Sequence, residues 1–411
     1  MPLALYLLGL AVFAQGTSEF MLSGLLPDIA RDLHVSVPMA SSLTSAFAVG
    51  MVVGAPVMAL ASMRWSRRNA LLFFLVLFLL VHVVGALTSS FWVLLATRVV
   101  AALANAGFLA VALVTAASLA GPGAKGRATS VLLGGVTLAC VAGVPGGAAL
   151  GQLWGWRSAF WAVVVVSVPA VFAILRSVPA GSGDGSLGEV REASGGRGRV
   201  RAEFRALRRP RPLVILALGA LVNGATFCTF TYLAPLATDV SGIGAGWVPG
   251  VLALFGLGSF LGVTVAGRIA DKRPLPVLVT GSLALFLGWV VCALTAGSPA
   301  VFLPLILVQG ALSFGVGSTL IAQALYAGAG APTLAGAGAT AAFNVGAALG
   351  PWLGGVAIGA GSGYRPAVWV SATLVALALV TGGAALSAGR HAVRRRERSG
   401  LQAPGDTYGV S

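Results

Sequence analysis

Apolar residues run along this chain in blocks of about twenty, each closed by a short polar break, and twenty helical residues at about 1.5 Å rise span the ~30 Å hydrocarbon core of a bilayer. The blocks predict helices over 4–26, 42–62, 69–87, 91–118, 128–150 and 158–175. A second set follows over 213–236, 247–267, 276–295, 299–325, 334–358 and 367–388. Between the sets, 176–212 holds Gly181-Ser-Gly-Asp-Gly185 and Arg208-Arg-Pro-Arg211, the composition of a flexible linker and not of a span. The expected fold class is an all-α membrane protein with twelve transmembrane helices. It divides into a six-helix bundle over 1–175, a basic linker over 176–212, a second bundle over 213–390 and a tail over 391–411. Residues 3–14 have the apolarity of a signal-peptide core, but no basic segment precedes them and the apolar run continues past Glu19 to Leu26, so an uncleaved first helix is expected.

The two halves repeat. One offset of 208 pairs Gly16 with Gly224, Pro27 with Pro235, Phe47 with Phe255, Gly50 with Gly258 and Gly54 with Gly262. Late in each half it pairs Gly146-Gly147 with Gly354-Gly355, and Gly155-Trp-Arg-Ser-Ala-Phe-Trp161 with Gly363-Tyr-Arg-Pro-Ala-Val-Trp369. An even number of helices separates the copies, so they share one orientation: a parallel repeat, the arrangement in which two halves rock about a central cavity near the midplane.

Composition supports the membrane reading, since 57% of residues are hydrophobic and 9% charged, too little polarity to cover a soluble domain of 411 residues. The net charge of +15 comes from basic residues, mostly Arg, clustered between apolar runs, which argues for membrane topology and against nucleic acid as a partner. Arg64, Arg67, Arg68, Lys125, Arg127, the linker, Arg268, Lys272, Arg273 and the tail from Arg390 to Arg398 fall on one side; Arg31, Arg157 and Arg365 fall on the other. That asymmetry places both termini in the cytoplasm, in a multi-pass protein of the inner (cytoplasmic) membrane. Cys140, Cys228 and Cys292 lie singly in separate runs, and His34, His82 and His391 are scattered, so neither a disulfide framework nor a metal site is expected. Gly121-Pro-Gly-Ala-Lys-Gly-Arg127 has the wrong spacing for a phosphate-binding loop, and no nucleophile, base or metal constellation suggests an enzyme.

Two charges stand clearly inside predicted spans, Glu19 and Arg98. A carboxylate or guanidinium at mid-membrane costs roughly 2.5–3.5 kcal/mol on insertion scales and marks either a structural ion pair or a functional site. Helical rise places both in the same half of the membrane, within reach across a cavity. The sharper expectation is that Glu19 alternates between a protonated, drug-bearing state and an ionised state paired with Arg98. Asp28, beyond Pro27, reads as a rim charge or a gate. His82 in its Leu/Val run reads as a packed core residue. Gly143-Val-Pro145-Gly-Gly147 puts a proline in mid-span, which frees a backbone carbonyl and makes a bend point.

These residues resemble the drug–proton antiporters of the major facilitator superfamily. The run 143–151 with Gly155-Trp-Arg157 resembles that family's antiporter motif, Arg98 its helix-four arginine, and Gly267-Arg-Ile-Ala-Asp271-Lys-Arg273 its signature between consecutive helices. The first-half counterpart keeps Arg67 and Arg68 but has Met63 where the acid is usual. Thr17-Ser-Glu-Phe20, Leu26-Pro-Asp28 and Ala104-Asn-Ala-Gly-Phe108 are most similar to the chloramphenicol exporters. The resemblance implies proton-driven efflux of a small hydrophobic drug by a monomer, with no cofactor. Central helices of this fold would offer Phe13, Gln15, Asn105, Phe108, Asn223, Phe227, Phe343 and Asn344 to the drug. An exporter of sugars or other small metabolites on the same fold is the alternative, and a transport-inactive scaffold or receptor a third reading.

Overall fold

The computed structural model describes residues 3–62, 65–119, 125–178, 210–270, 273–327, 332–361 and 363–398. Twelve stretches among them are helical, long and apolar enough to cross a membrane. The first half contains α1 (Leu3–Phe20), α2 (Leu22–Asp32), α3 (Val37–Ser62), α4 (Arg67–Leu87) and α5 (Phe91–Leu119). It continues with α6 (Lys125–Leu138), a π-helical turn (Ala139–Gly143), α7 (Val144–Trp154) and α8 (Arg157–Ser177). The second half holds α9 (Pro210–Thr231), α10 (Leu233–Pro235), a π turn (Leu236–Val240) and a 3-10 turn (Ala245–Trp247). Then come α11 (Val248–Ala270), α12 (Pro274–Thr295), α13 (Pro299–Ala327), α14 (Pro332–Gly359) and α15 (Arg365–Arg398). Large apolar side chains such as Leu80, Val165, Phe172 and Val380 are exposed on the bundle's outer surface, where lipid and not water is the neighbour. This is a multi-pass membrane protein.

The repeat is physical as well as textual. A Cβ on Gly50 would meet Val99 on α5, and one on Gly258 would meet Leu307 on α13; 258 minus 50 and 307 minus 99 are both 208. Small residues let these helix pairs approach backbone to backbone, the main source of helix association where lipid is as apolar as the side chains. The halves meet where α3 packs on α14 and α11 packs on the first π turn and α7. One buried cluster centred on the second half takes in Phe20, Ala48, Val144 and Ala148 from the first, so the interface is continuous with a core.

Four elements differ from their sequence expectation. The first span, expected over 4–26, breaks at Met21 and resumes as α2, which runs on to Asp32. The helix expected over 213–236 ends at Thr231, because Pro235 has no amide with which to continue the ladder to the carbonyl of residue 231. The span expected over 128–150 is interrupted by the π turn, in which the Val144 amide reaches back to the Ala139 carbonyl. It absorbs the turn's lost bond ahead of Pro145. Finally, α15 continues to Arg398, past the boundary placed at 390, since nothing in the Ala/Arg-rich segment stops a helix.

The interface is closed at the end of the bundle opposite Leu3. Ser45 Oγ donates to the Ala348 carbonyl at 2.7 Å, the Tyr232 hydroxyl lies 2.6 Å from Ser41 Oγ, and the Gln152 amide donates to the Ala245 carbonyl.

Candidate functional site

The site forms where α1 ends. In an α-helix the last turn leaves carbonyls without amide partners, and Ser18 lies in that turn of α1. Arg98, on α5, fills the vacancy: Nη2 donates to the Ser18 carbonyl and Nη1 to Ser18 Oγ, each at 2.8 Å. The guanidinium is 1% exposed and lies 4.5 Å over the Phe47 ring, a cation–π contact that partly replaces hydration. Its Nε has no partner. The expected Glu19–Arg98 ion pair is therefore not formed in this structure: the ion pairs among the described residues are Arg31–Asp28 and Arg157–Asp32. Glu19 is half-buried with no hydrogen bond among the described residues, its neighbour on the helix having taken the arginine.

Phe20, next along, sits against the second half, its ring 5.6 Å from that of Phe227. Phe227 in turn meets Phe230, Phe230 stacks on Phe255 at 4.8 Å, and Phe255 meets Phe314 edge-on. These five rings with Cys140 and Thr226 line a small apolar cavity between the halves. Of them, the sequence reading singled out only Phe227 for the drug. The signal was present in the repeat, since Phe255 mates with Phe47, but one copy caps Arg98 while the other joins the ring cluster, a division of roles that alignment of the halves does not carry.

The remaining candidates separate. Phe108 is fully buried in the first half's own core, with Phe74 and Leu71, and does not reach the interface. The Asn105 amide lies 3.6 Å from Met51 Sδ, Asn223 donates to the Phe343 carbonyl at 2.7 Å, and Asn344 donates to Thr340 on its own helix at 3.0 Å. Gln15 is 1% exposed and neither of its side-chain polar atoms has a partner, while Phe13 is half-buried. The Phe343 ring packs against Gly219 and Gly317 within the second half.

The antiporter-like motif has two structural jobs. Gly143 lies against the Thr17 side chain and Gly147 against Met21, so the π turn and α7 press on α1 at the residues flanking Ser18 and Glu19. At the motif's far end, Gly155 turns the chain at φ 80, ψ 156, a region open to glycine and strained for other residues. Its repeat mate Gly363 does the same at φ 71. After that turn, Trp156 Nε1 donates to Asp32 Oδ2 at 3.2 Å and Arg157 donates to the same oxygen. Arg157 Nη2 also reaches the Thr88 carbonyl at 3.0 Å. The hydrogen bond from Arg157 outweighs the opposing effect of burial and, helped by that from Trp156, holds the Asp32 carboxyl below its usual range. Asp32 is thus a corner clasp, while Asp28 is an exposed rim charge 3.1 Å from Arg31. The rim charge was among the sequence expectations for Asp28; the clasp at Asp32 was not, because its partner Arg157 stands 125 residues away. Pro145 begins α7, Gly267 is exposed with open space about it, Arg67 and Arg68 are half-buried at the start of α4, and Asp271 lies outside the described residues. Among the described residues no group of His, Cys, Asp and Glu is placed to hold a metal.

Comparison with known proteins places this arrangement. A family model described as Major Facilitator Superfamily matches residues 8–340. A chloramphenicol resistance protein of Streptomyces lividans is 55% identical over 380 residues, covering 92% of this chain and 95% of that protein. The inner membrane transport protein YdhP of Escherichia coli K12 is 32% identical over 373 residues, 91% of this chain and 93% of its own. Crystal structures of a bacterial homolog of the human lysosomal transporter Spinster, both inward-facing, superpose with TM-scores of 0.71 unoccupied and 0.72 occupied. At 19% and 17% identity, over 92% of this chain and 95% of theirs, they share its fold.

Proposed function

Because the chain belongs to the Major Facilitator Superfamily, we propose that it exports chloramphenicol or a related small hydrophobic drug across the cytoplasmic membrane in exchange for protons. The observation that carries the reading is a half-buried carboxyl with no partner among the described residues, Glu19, one residue from the ring cluster at the interface between the halves. Similarity over nearly the whole length to a chloramphenicol resistance protein supports the drug. Offset and edge-on aromatic contacts at 4.5–7 Å contribute about 0.5–1.5 kcal/mol each beyond burial, so a nitrophenyl ring entering among Phe20, Phe227 and Phe230 is well received.

In this scheme Glu19 is the group that protons and drug share. Exchange requires the drug to occupy the cavity while Glu19 is ionised, the reverse of a protonated, drug-bearing state: drug leaves when Glu19 is protonated again from the far side, and the halves then rock back. Arg98 is the counter-charge that favours proton release when it swings to Glu19. Both termini face the cytoplasm, by the distribution of arginine. The sealed end opposite Leu3 is then the outer one, and the structure corresponds to the drug-loading side of the cycle. The proton gradient supplies the energy, and one chain, holding both halves, is the working unit.

The test is a drug-susceptibility panel in cells expressing the chain, with and without collapse of the proton gradient, alongside Glu19→Gln at equal expression. Chloramphenicol tolerance that needs both the gradient and Glu19 is expected. Proton-coupled export of a neutral drug by Glu19→Gln at wild-type expression refutes the role given to that carboxyl, and tolerance to no drug removes the exporter reading.

A further inference from the structure

Ser18 departs from the habit of many hydroxyl residues in these helices. Thr17, Ser167, Thr226 and Thr319 return their proton to the carbonyl one turn back, the ordinary refuge of a hydroxyl in an apolar helix. Ser18 Oγ instead lies 2.6 Å from His82 Nε2, on α4, while receiving Arg98 Nη1. His82 Nδ1 is 2.7 Å from the Phe78 carbonyl, which can only accept, so Nδ1 bears the ring's proton and Nε2 presents a lone pair. The Ser18 proton must then point to Nε2, which turns the hydroxyl's own lone pairs toward the guanidinium. Phe78 and Phe160 hold the imidazole, with ring centroids 4.1 and 5.7 Å away. A second N–H from a charged imidazole would aim at an oxygen already receiving Arg98, so this pocket suits one positive charge. The arrangement is directional and complete: Arg98 to Ser18, Ser18 to His82, His82 to the Phe78 backbone.

We propose that the Ser18–His82 pair is a built-in alternative holder for Arg98, which keeps the guanidinium off Glu19 and thereby sets the pH at which Glu19 exchanges its proton. Its use in transport rests on the proton–drug exchange proposed above. Ser18 and His82 are positioning residues: they act through Arg98. Ser18 and Glu19 are successive residues of α1, so Arg98 changes partner by a side-chain swing with no movement of its helix. Among the described residues, the titratable and charged groups that bear on Glu19 are Arg98 from α5 and Cys140 from the π turn. Arg98 also bears on His82. Phe160 of α8, Phe47 of α3, and Thr226 and Phe227 of α9 bring no charge to the network.

Infrared spectra of the full-length protein in lipid, taken across pH, test this directly, with the Glu19 carboxyl band assigned by its loss in Glu19→Gln. Ser18→Ala removes the oxygen that holds Nη1, leaves only the backbone carbonyl at Nη2, and so loosens Arg98 toward Glu19. The midpoint for loss of the band is expected to fall by about half a pH unit or more, roughly threefold in proton affinity. Ser18→Thr keeps the hydroxyl and is expected to hold the wild-type midpoint, while His82→Phe, which lets the hydroxyl rotate away, moves it in the same direction as Ser18→Ala. An unchanged or raised midpoint in a folded Ser18→Ala or His82→Phe protein, verified by thermal melting, overturns the proposal. A wild type with no drug-driven proton flux in liposomes refutes the exporter reading alone, because the infrared comparison needs no transport.

Discussion

Gly143 has no room for a side chain: a Cβ there would overlap the Thr17 hydroxyl and crowd Thr17 Cβ at 2.9 Å. Thr17 cannot easily turn away, since its hydroxyl is bonded to the Phe13 carbonyl at 2.8 Å. Gly143→Ala should therefore displace the π turn from α1 beside Ser18 and Glu19. Overpacking of this kind destabilises by about 1–3 kcal/mol, and a lowered melting temperature in detergent together with lost drug tolerance is the expected result. Phe20 and Phe227 touch each other across the halves, both are nearly buried, and Phe227 also meets Phe230. Phe20→Leu and Phe227→Leu keep most of the buried apolar volume, so protein levels should stay near wild type while drug binding weakens roughly 2- to 10-fold, from the 0.5–1.5 kcal/mol of an aromatic pair. Equilibrium binding of radiolabelled chloramphenicol reads this, and unchanged affinity in both variants removes the ring cluster from the drug's path.

At the scale of elements, the corner between α7 and α8 joins a backbone requirement to a charge clasp. Gly155 has φ 80 and ψ 156, and a β-carbon in that region is strained by about 1–3 kcal/mol. Gly155→Ala should lower stability by that order, and Gly363→Ala, at φ 71, should do the same in the second half. Thermal melting checks both. The clasp itself is pH-dependent, with a sign that follows from its cause. The Asp32 carboxyl titrates lower in the folded chain than the ~3.9 of a free aspartate, because Arg157 bonds its charged form. Its contribution is thus present above about pH 4 and lost as pH falls through the folded value. Asp32 and Arg157 are both substantially exposed, so solvent screens the pair and the contribution stays within ~1 kcal/mol. Asp32→Asn should lower the melting temperature slightly at pH 7, and the gap to wild type should close in strong acid. A gap independent of pH would mean the clasp is held by shape and not charge. The second half has Arg365 at the matching corner, near Gly297, with Val240 where the first half has Asp32. The corner geometry is duplicated and the clasp is not.

Across the whole molecule, the two halves are joined at the end opposite Leu3 by Ser45 to Ala348 and by Tyr232 to Ser41. Alternating access requires these contacts to part. A cysteine pair at Ser45 and Ala348 should cross-link on oxidation, stop efflux, and release it on reduction, as read by drug accumulation in cells. Continued efflux with the cross-link formed would show that this seam does not open during transport.

What the chain determined by itself is the scaffold. Span length, the arginine distribution and the 208-residue repeat all depend on local composition against a fixed solvent thickness, so twelve helices in two like halves were legible without coordinates. The exposed glycine corners were legible too, as a repeated Gly-aromatic-Arg. Tertiary structure decided the partners. Whether Arg98 rests on Glu19 or on Ser18 turns on about 100° of helix rotation between neighbouring residues and on a histidine 64 positions away. Whether Phe255 or Phe47 meets a charge depends on which half supplied one. Phe108 illustrates the limit from the other side: aromatic, mid-span and on a central helix, it faces its own half's core. Hydropathy has no periodic signal for such a choice, because in a membrane the core, the cavity wall and the lipid face are all apolar.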